Sequence, residues 1–326
     1  GVRHFEVNLK LLDKNKSTWT VDEIRTAYFR NFSETEKILK GTEGAILWQR
    51  HEELLDCVAI LEACYNDVLN SINSFSHETT KVDFWYPANQ PKLEQKQLDV
   101  RKAIFSASAA TMALVDHFRR FSQKYPVEKS NEMRVEVFGN SGMHDFIQGL
   151  RNYILHVKIA EANWVISRDF KNKTRDVNFY FYIDDLKKFK DWKPAAKVFM
   201  ERHGDKVNVY NTFSTYLECV KKYYTWHKNS LLIEYHEIIQ RHLSNEYLLN
   251  GIKSDTRWNF IIANLKTRQE LLATLNKYLS EDQLKLVHAC EVGSPQQLSM
   301  ILAVTDTFGS FTDHLKEKFT KLLENA

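Results

Sequence analysis

Residues 142–161 read GMHDFIQGLRNYILHVKIAE, and the period of their apolar side chains decides what kind of fold this chain builds. Met143, Phe146, Ile147, Leu150, Tyr153, Ile154 and Val157 recur at steps of three and four. That spacing puts them on one face of an α-helix, which turns about 100° per residue. Asp145, Gly149, Asn152 and His156 form a second stripe on a different side of the same helix. A long surface helix ordinarily carries Lys and Glu there. Here the stripe is short-chained, and Gly149 leaves a gap through which a ligand or another backbone can approach.

Upstream, Gly139-Asn140-Ser141-Gly142 supplies a turn and an N-cap for this helix. A shorter segment near 127–138 precedes it. Before that, a long helix is predicted from Lys92 to Tyr125, stopped by Pro126; its Ala/Ser-rich middle, Ala103 to Ala113, lets a neighbouring helix pack close. Leu47, Leu54, Val58, Leu61, Tyr65, Val68 and Ile72 predict another long helix over Ala45 to Phe75. Between these two, Phe84-Trp85-Tyr86-Pro87 reads as an aromatic cluster that is either a loop packed over the core, the favoured reading, or a contact surface.

Downstream the period changes. Asn163 to Phe170 and Val177 to Ile183 predict two strands joined by 171–175, and Phe179-Tyr180-Phe181-Tyr182 is strongly strand-favouring. Asp184 and Asp185 lead into a short helix through Phe189, and Pro194 opens another. A long helix is expected over 207–239, with Val209, Phe213, Tyr216, Leu217, Val220, Tyr224, Leu231 and Tyr235 as core positions. Gly251 marks a boundary before helices over Asp255 to Leu279, Glu281 to Cys290 and Pro295 to Leu323. The expected organisation is an N-terminal segment (1–44) of illegible role, a multi-helix domain (45–245) and a C-terminal helical extension (246–326). The fold class is mainly α, with a small β-hairpin after the helix at 142–161.

Composition agrees. The 326 residues are 43% hydrophobic and 27% charged, which describes a globular protein and not a disordered one. With 10 Gly and 5 Pro, turns are scarce and long helices favoured. A formal net charge of +3 neither demands nor excludes an anionic partner, so nucleic-acid binding has to come from a local patch. Cys57, Cys64, Cys219 and Cys290 form no C-x-x-C pair and no zinc-ligand spacing, which suits a reducing compartment. The start carries no apolar signal region, no apolar run is long enough for a membrane span, and the expected location is the cytoplasm.

Other chemistries lack their residues. His51-Glu52-Glu53-Leu54-Leu55 and His236-Glu237-Ile238-Ile239-Gln240 begin like the zinc-protease helix, but neither has its second His. His227, His236 and His242 are read as lining or capping a helix surface, not as metal ligands. No Gly-rich phosphate loop and no G-x-S-x-G elbow occurs. No metal and no cofactor is expected. Lys171, Lys173, Arg175, Lys187, Lys188, Lys190, Lys193 and Lys197 make the region after residue 170 locally basic. Tyr180, Tyr182 and Trp192 are interleaved with them, aromatic rings of the kind on which bases stack.

Arg151-Asn152-Tyr153-Ile154-Leu155-His156, an Arg, a polar residue, three variable residues and a His within a helix, resembles the motif of the HEPN superfamily. The resemblance covers roughly Ala45 to Leu243. The positions one and two turns before the Arg, acidic and Lys in some members, hold Ile147 and Met143 here. The resemblance implies a helical bundle, a homodimer whose two motifs face each other across a cleft, and metal-independent cleavage of RNA, often within toxin or antiphage systems. It also implies roles. His156 is the general acid/base, with an unperturbed pKa near neutrality. Arg151 holds phosphate through paired hydrogen bonds, and Asn152, one turn before His156, orients the imidazole or binds ribose. Apart from the resemblance, the helix stripe makes Asp145, Gly149 and Tyr153 candidates for supporting the site, and the basic stretch makes Lys171, Lys173, Arg175, Lys187 and Lys188 candidates for contacting RNA. Arg151 lies about 140° round the helix from His156, so one helix aims the two at different sides and a pair of helices is needed. The alternative reading is a non-catalytic helical interaction or dimerisation module, in which the same residues form a polar packing network.

Overall fold

The computed structural model describes residues 12–156, 163–169, 171 and 174–325; at 155, 156, 163, 167–169 and 174–176 it describes the backbone alone. In chain order the elements are α1 (Val21–Arg30), α2 (Phe32–Lys40), α3 (Glu43–Glu78), α4 (Gln90–Lys124), α5 (Ser130–Phe138), α6 (Met143–His156), β1 (Asn163–Asp169), β2 (Thr174–Tyr182), α7 (Ile183–Leu186), α8 (Pro194–Arg202), β3 (Lys206–Asn208), α9 (Val209–Glu234), α10 (His236–Ile261), α11 (Arg268–Tyr278), α12 (Glu281–His288), α13 (Pro295–Thr305) and α14 (Asp313–Glu324). The fold is mainly α, as the apolar spacing predicts. Two compact units emerge: a central one, Leu47–His236, and a terminal one that combines the residues up to Ile46 with those from Glu237 on.

In the central unit, α3 and α4 supply the longest core faces. Leu47, Leu54, Val58, Leu61, Tyr65, Val68 and Ile72 are all buried on α3. The small-residue middle of α4 buries Ala103, Ala107 and Ala110, and Tyr65 reaches across to share a buried 2.8 Å hydrogen bond with the Thr111 hydroxyl. Tyr65 also stacks on Tyr216 of α9 at 5.8 Å between ring centres. The segment between α3 and α4 forms two 3₁₀ turns. Phe84 is buried there against Phe75, as expected of a packed loop, whereas Tyr86 faces out.

β1 and β2 form the expected antiparallel hairpin, in register from Asn163↔Tyr180 to Asp169↔Thr174. Val177, Phe179 and Phe181 point inward and alternate with half-buried Asn178, Tyr180 and Tyr182, the two-residue period of a sheet with one buried face. A third strand was not anticipated. β3 pairs antiparallel with β2 over Lys206–Asn208, where a helix was expected from 207. That helix starts two residues later, because Asn208 stays extended and its side chain caps the first turn by accepting from the Asn211 amide at 2.9 Å.

The long helical run expected over 207–239 breaks at Tyr235, which leaves the helical region of φ/ψ and closes α9. The boundary expected at Gly251 does not occur there. Gly251 is buried within α10, and a Cβ at that position would sit 2.8 Å from the Ser310 side chain; glycine allows α10 to pass the 306–312 connection at close range. The N-terminal segment, whose role the residues alone leave illegible, belongs to this terminal unit. Leu12, Trp19, Ile24, Ala27 and Leu39 form one apolar cluster with Leu249 and Ile252 of α10. A second cluster joins Trp258 of α10 to Leu271, Val287, Ile301 and Phe319 of α11–α14. Capping boxes at Thr20/Glu23, Thr267/Glu270 and Ser280/Gln283 start α1, α11 and α12. Among the described residues no helix is long and apolar enough to cross a membrane.

Candidate functional site

α6 follows a turn in which Gly139 and Gly142 both have positive φ, and it packs against α4, α8 and α9. Its apolar face is buried at Met143, Phe146, Ile147, Leu150, Tyr153 and Ile154. The other face, His144, Asp145, Gln148, Gly149, Arg151 and Asn152, is half-buried throughout, so no described side chain of α6 stands fully in solvent. This is an enclosed helix.

Trp192 explains the stripe. It is buried, its indole N–H donates to the Leu186 carbonyl at 2.8 Å, and its rings stack on Phe146 and Tyr153 at 5.6 and 6.3 Å. A Cβ on Gly149 would lie 2.5 and 2.6 Å from two carbons of that indole. The gap left by Gly149 is therefore filled from within the molecule and is not open to a ligand. Trp192 is likewise unavailable to stack on a base. Beside it, Lys193 pairs with Asp145 at 3.1 Å and reaches the Gln148 carbonyl oxygen at 3.5 Å. Asp145, Gly149 and Tyr153 thus seat the segment that carries Lys187, Lys188, Lys190 and Lys193 against α6. Lys187, Lys188 and Lys190 are exposed, as are Lys171 and Lys197, and Lys188 pairs with Asp185 at 2.5 Å.

Arg151 and Asn152 occupy the C-terminal half of α6, half-buried. The backbone of His156 closes the helix. The side chains of His156 and Arg175, and all of Lys173, lie outside the described residues.

The residues alone did not single out a second polar group on α6. Lys193 donates to Gln148 Oε1, and the Gln148 amide nitrogen lies 2.5 Å from His144 Nε2. His144 Nδ1 lies 2.9 Å from the Tyr216 hydroxyl. With the Gln148 amide fixed by the lysine, His144 Nε2 is the acceptor and Nδ1–H the donor. His144 also stacks on Tyr216, ring centres 5.8 Å apart. Burial pushes its pKa down to about 4, with the Arg134 and Lys193 cations acting in the same direction and Asp145 opposing. Burial pushes the Tyr216 phenol well above its ordinary value. Both rings are neutral and both imidazole nitrogens are engaged, which makes this a packing network rather than an acid/base pair. Arg134, Asn140, His144 and Asp145 line a groove of about 370 Å³ beside it. A sequence signal existed, since His144 and Gln148 stand four apart, as Asn152 and His156 do.

His227 departs from its expected place on a helix surface and is buried in the core of the central unit, as is His51. Among the described residues no group of three or more His, Cys, Asp or Glu side chains is arranged to hold a metal ion. Compared with known proteins, the chain matches no family model, no curated protein and no solved structure.

Proposed function

We propose that this chain is a HEPN-type RNA endonuclease that works as a homodimer and without a metal ion. The observation that carries the reading is the seating of the lysine-rich segment on α6. Trp192 and Lys193 fasten it at Gly149 and Asp145, Gly149 within one turn and Asp145 within two turns before Arg151 and Asn152 on the same helix. Exposed lysines are thereby held on the helix whose side chains would do the chemistry, as a polyanionic substrate requires. RNA carries its own nucleophile, so the protein has two tasks. His156 takes the proton of a 2′-OH as its oxygen attacks the phosphorus. As the bond from phosphorus to the 5′-oxygen breaks, a protonated His156 returns a proton to the leaving oxygen. Arg151 stabilises the charge that builds on the phosphate oxygens. The products are a 2′,3′-cyclic phosphate and a 5′-OH. Because Arg151 and His156 diverge round one helix by about 140°, Arg151 of one copy serves His156 of the other. Such an activity suits a toxin or an antiphage system.

The test is cleavage of mixed RNAs in excess EDTA by the wild type and by His156→Ala, each shown to be folded by circular dichroism. Cleavage by the wild type and at least a 100-fold loss in the variant are expected, in keeping with the size of acid/base contributions. Equal rates would remove His156 from the mechanism. A second reading is favoured by the enclosure of α6 and the filling of Gly149 by Trp192: a non-catalytic module whose motif residues fix packing. It predicts no cleavage of any RNA by the wild type and a lower melting temperature for Arg151→Ala.

A further inference from the structure

Seven buried side-chain polar atoms among the described residues lack a hydrogen-bond partner, and five of them come from four residues in one part of the central unit. They are both ring nitrogens of His51, Ser122 Oγ, the Tyr125 hydroxyl and His227 Nε2. Phe121 is their common neighbour, its ring centre 6.1 Å from His51, 5.9 Å from His227 and 5.5 Å from Tyr125. Trp48 packs on His51 at 6.1 Å, and Phe118 and Tyr223 pack on His227 at 5.1 and 6.3 Å. Both imidazoles are 1% exposed. Core polar groups are normally partnered, and an aromatic wall penalises the charged form of an imidazole far more than the neutral one.

The groups that face the two rings add no compensating negative charge. From α9, Lys228 acts on His51, and His51 in turn acts on His227. Tyr223 of α9 shares a hydrogen bond with Ser130 Oγ. From the C-cap of α4 comes the Tyr125 phenol, with the Lys124 ammonium 5.2 Å over its ring. From α3 comes Trp48, whose indole N–H donates to the Glu52 carboxylate at 3.1 Å. Among the described residues neither His51 nor His227 has an ion pair. Outside the aromatic wall the ends of α4 and α9 are tied by a few exposed hydrogen bonds. The Glu128 amide donates to the Glu234 carboxylate at 3.0 and 3.1 Å, and the Tyr235 hydroxyl to the Pro126 carbonyl at 2.9 Å.

We propose that this junction of α3, α4 and α9 is an acid-triggered latch: protonation of His51 and His227 releases the end of α4 from the C-terminal half of α9 while the rest of the chain stays folded. Burial lowers each ring from 6.5 to about 4, whereas in an opened junction both titrate near their ordinary value. Lowering the pH from 7.5 to 5 then multiplies the opening constant by ~25-fold for each ring and by several hundred-fold, roughly, for the pair.

Hydrogen exchange by mass spectrometry on the full chain, corrected for the pH dependence of intrinsic exchange, reads this directly in peptides covering 118–130 and 221–235. Wild-type protection there is expected to fall by ~100-fold or more between pH 7.5 and 5 with far-UV circular dichroism unchanged, and a His51→Phe/His227→Phe variant to keep its protection within about threefold. Flat wild-type protection, or a double variant that opens like the wild type, overturns the latch. If the double variant fails to fold, His51→Gln and His227→Gln singly should each retain about half of the response on a logarithmic scale; a full response in both overturns it equally.

Discussion

Gly149 tests how tightly the helix of the proposed site is locked. On an open helix face, Gly→Ala is stabilising by about 0.8–1.0 kcal/mol, because alanine restricts the unfolded chain and favours the helix. Here the added methyl would meet two carbons of Trp192 at 2.5 and 2.6 Å. That indole is held by Phe146, Tyr153 and its hydrogen bond to Leu186, so it has no easy retreat. Overpacking of this kind costs typically ~1–3 kcal/mol, enough to reverse the sign. Gly149→Ala is therefore expected to destabilise the protein by about 0.5–2 kcal/mol in urea denaturation. The same substitution in a Trp192→Ala background should turn stabilising. A stabilised single variant would mean that Trp192 is not wedged against the helix.

Among the elements, the segment that runs from α7 into α8 carries the nucleic-acid reading. Lys187, Lys190 and Lys197 are exposed, and substituting exposed charges usually changes stability by no more than ~0.5 kcal/mol. Replacing all three by alanine should leave the melting temperature nearly unchanged. If they contact the backbone of single-stranded RNA, the slope of log affinity against log salt should become shallower by about 2, at ~0.7 per lost phosphate contact. Unchanged RNA affinity at both low and high salt would place the contact elsewhere. The elements were unequally legible. α3, α4 and α6 announce themselves because many apolar residues repeat at helical spacing, and the β1–β2 hairpin because β2 is dense in aromatics. β3 is three residues long and has no period to read. The break between α9 and α10 falls at Tyr235 without the Gly or Pro that punctuates most helix ends. The Lys193–Gln148–His144–Tyr216 network was hidden for another reason: Tyr216 is 72 residues from His144, and nothing local encodes that meeting. Gly149 was visible as an oddity, but its partner Trp192 came from a basic stretch whose aromatic rings were read as a platform for bases.

For the whole molecule, acid should act on the two units at different pH. His51, His144 and His227 all belong to the central unit, and burial lowers each from 6.5 to about 4. A histidine kept neutral in the folded state binds fewer protons than it does in the unfolded chain. Its contribution is thus complete above about pH 6.5, declines as the pH falls and is exhausted near pH 4. Each ring accounts for up to ~3 kcal/mol across that window. In the terminal unit the comparable group is Glu36, whose pKa is lowered chiefly by its hydrogen bond from Lys253. The sign is the same but the window lies lower: its contribution is present above the ordinary carboxylate value of 4.5 and is lost only as the pH falls through the lowered one. Between pH 6.5 and 4.5 the central unit should therefore lose stability while the terminal unit keeps most of its own. Five of the seven tryptophans lie in the central unit, so a Trp19→Phe/Trp258→Phe variant makes fluorescence report that unit alone, while circular dichroism reports both. Urea titrations at pH 7.5, 6, 5 and 4.5 should show the fluorescence midpoint falling steadily and a second, dichroism-detected transition separating above it. Parallel shifts in both signals, or earlier loss of the terminal unit, would show that the three buried histidines do not govern the acid response.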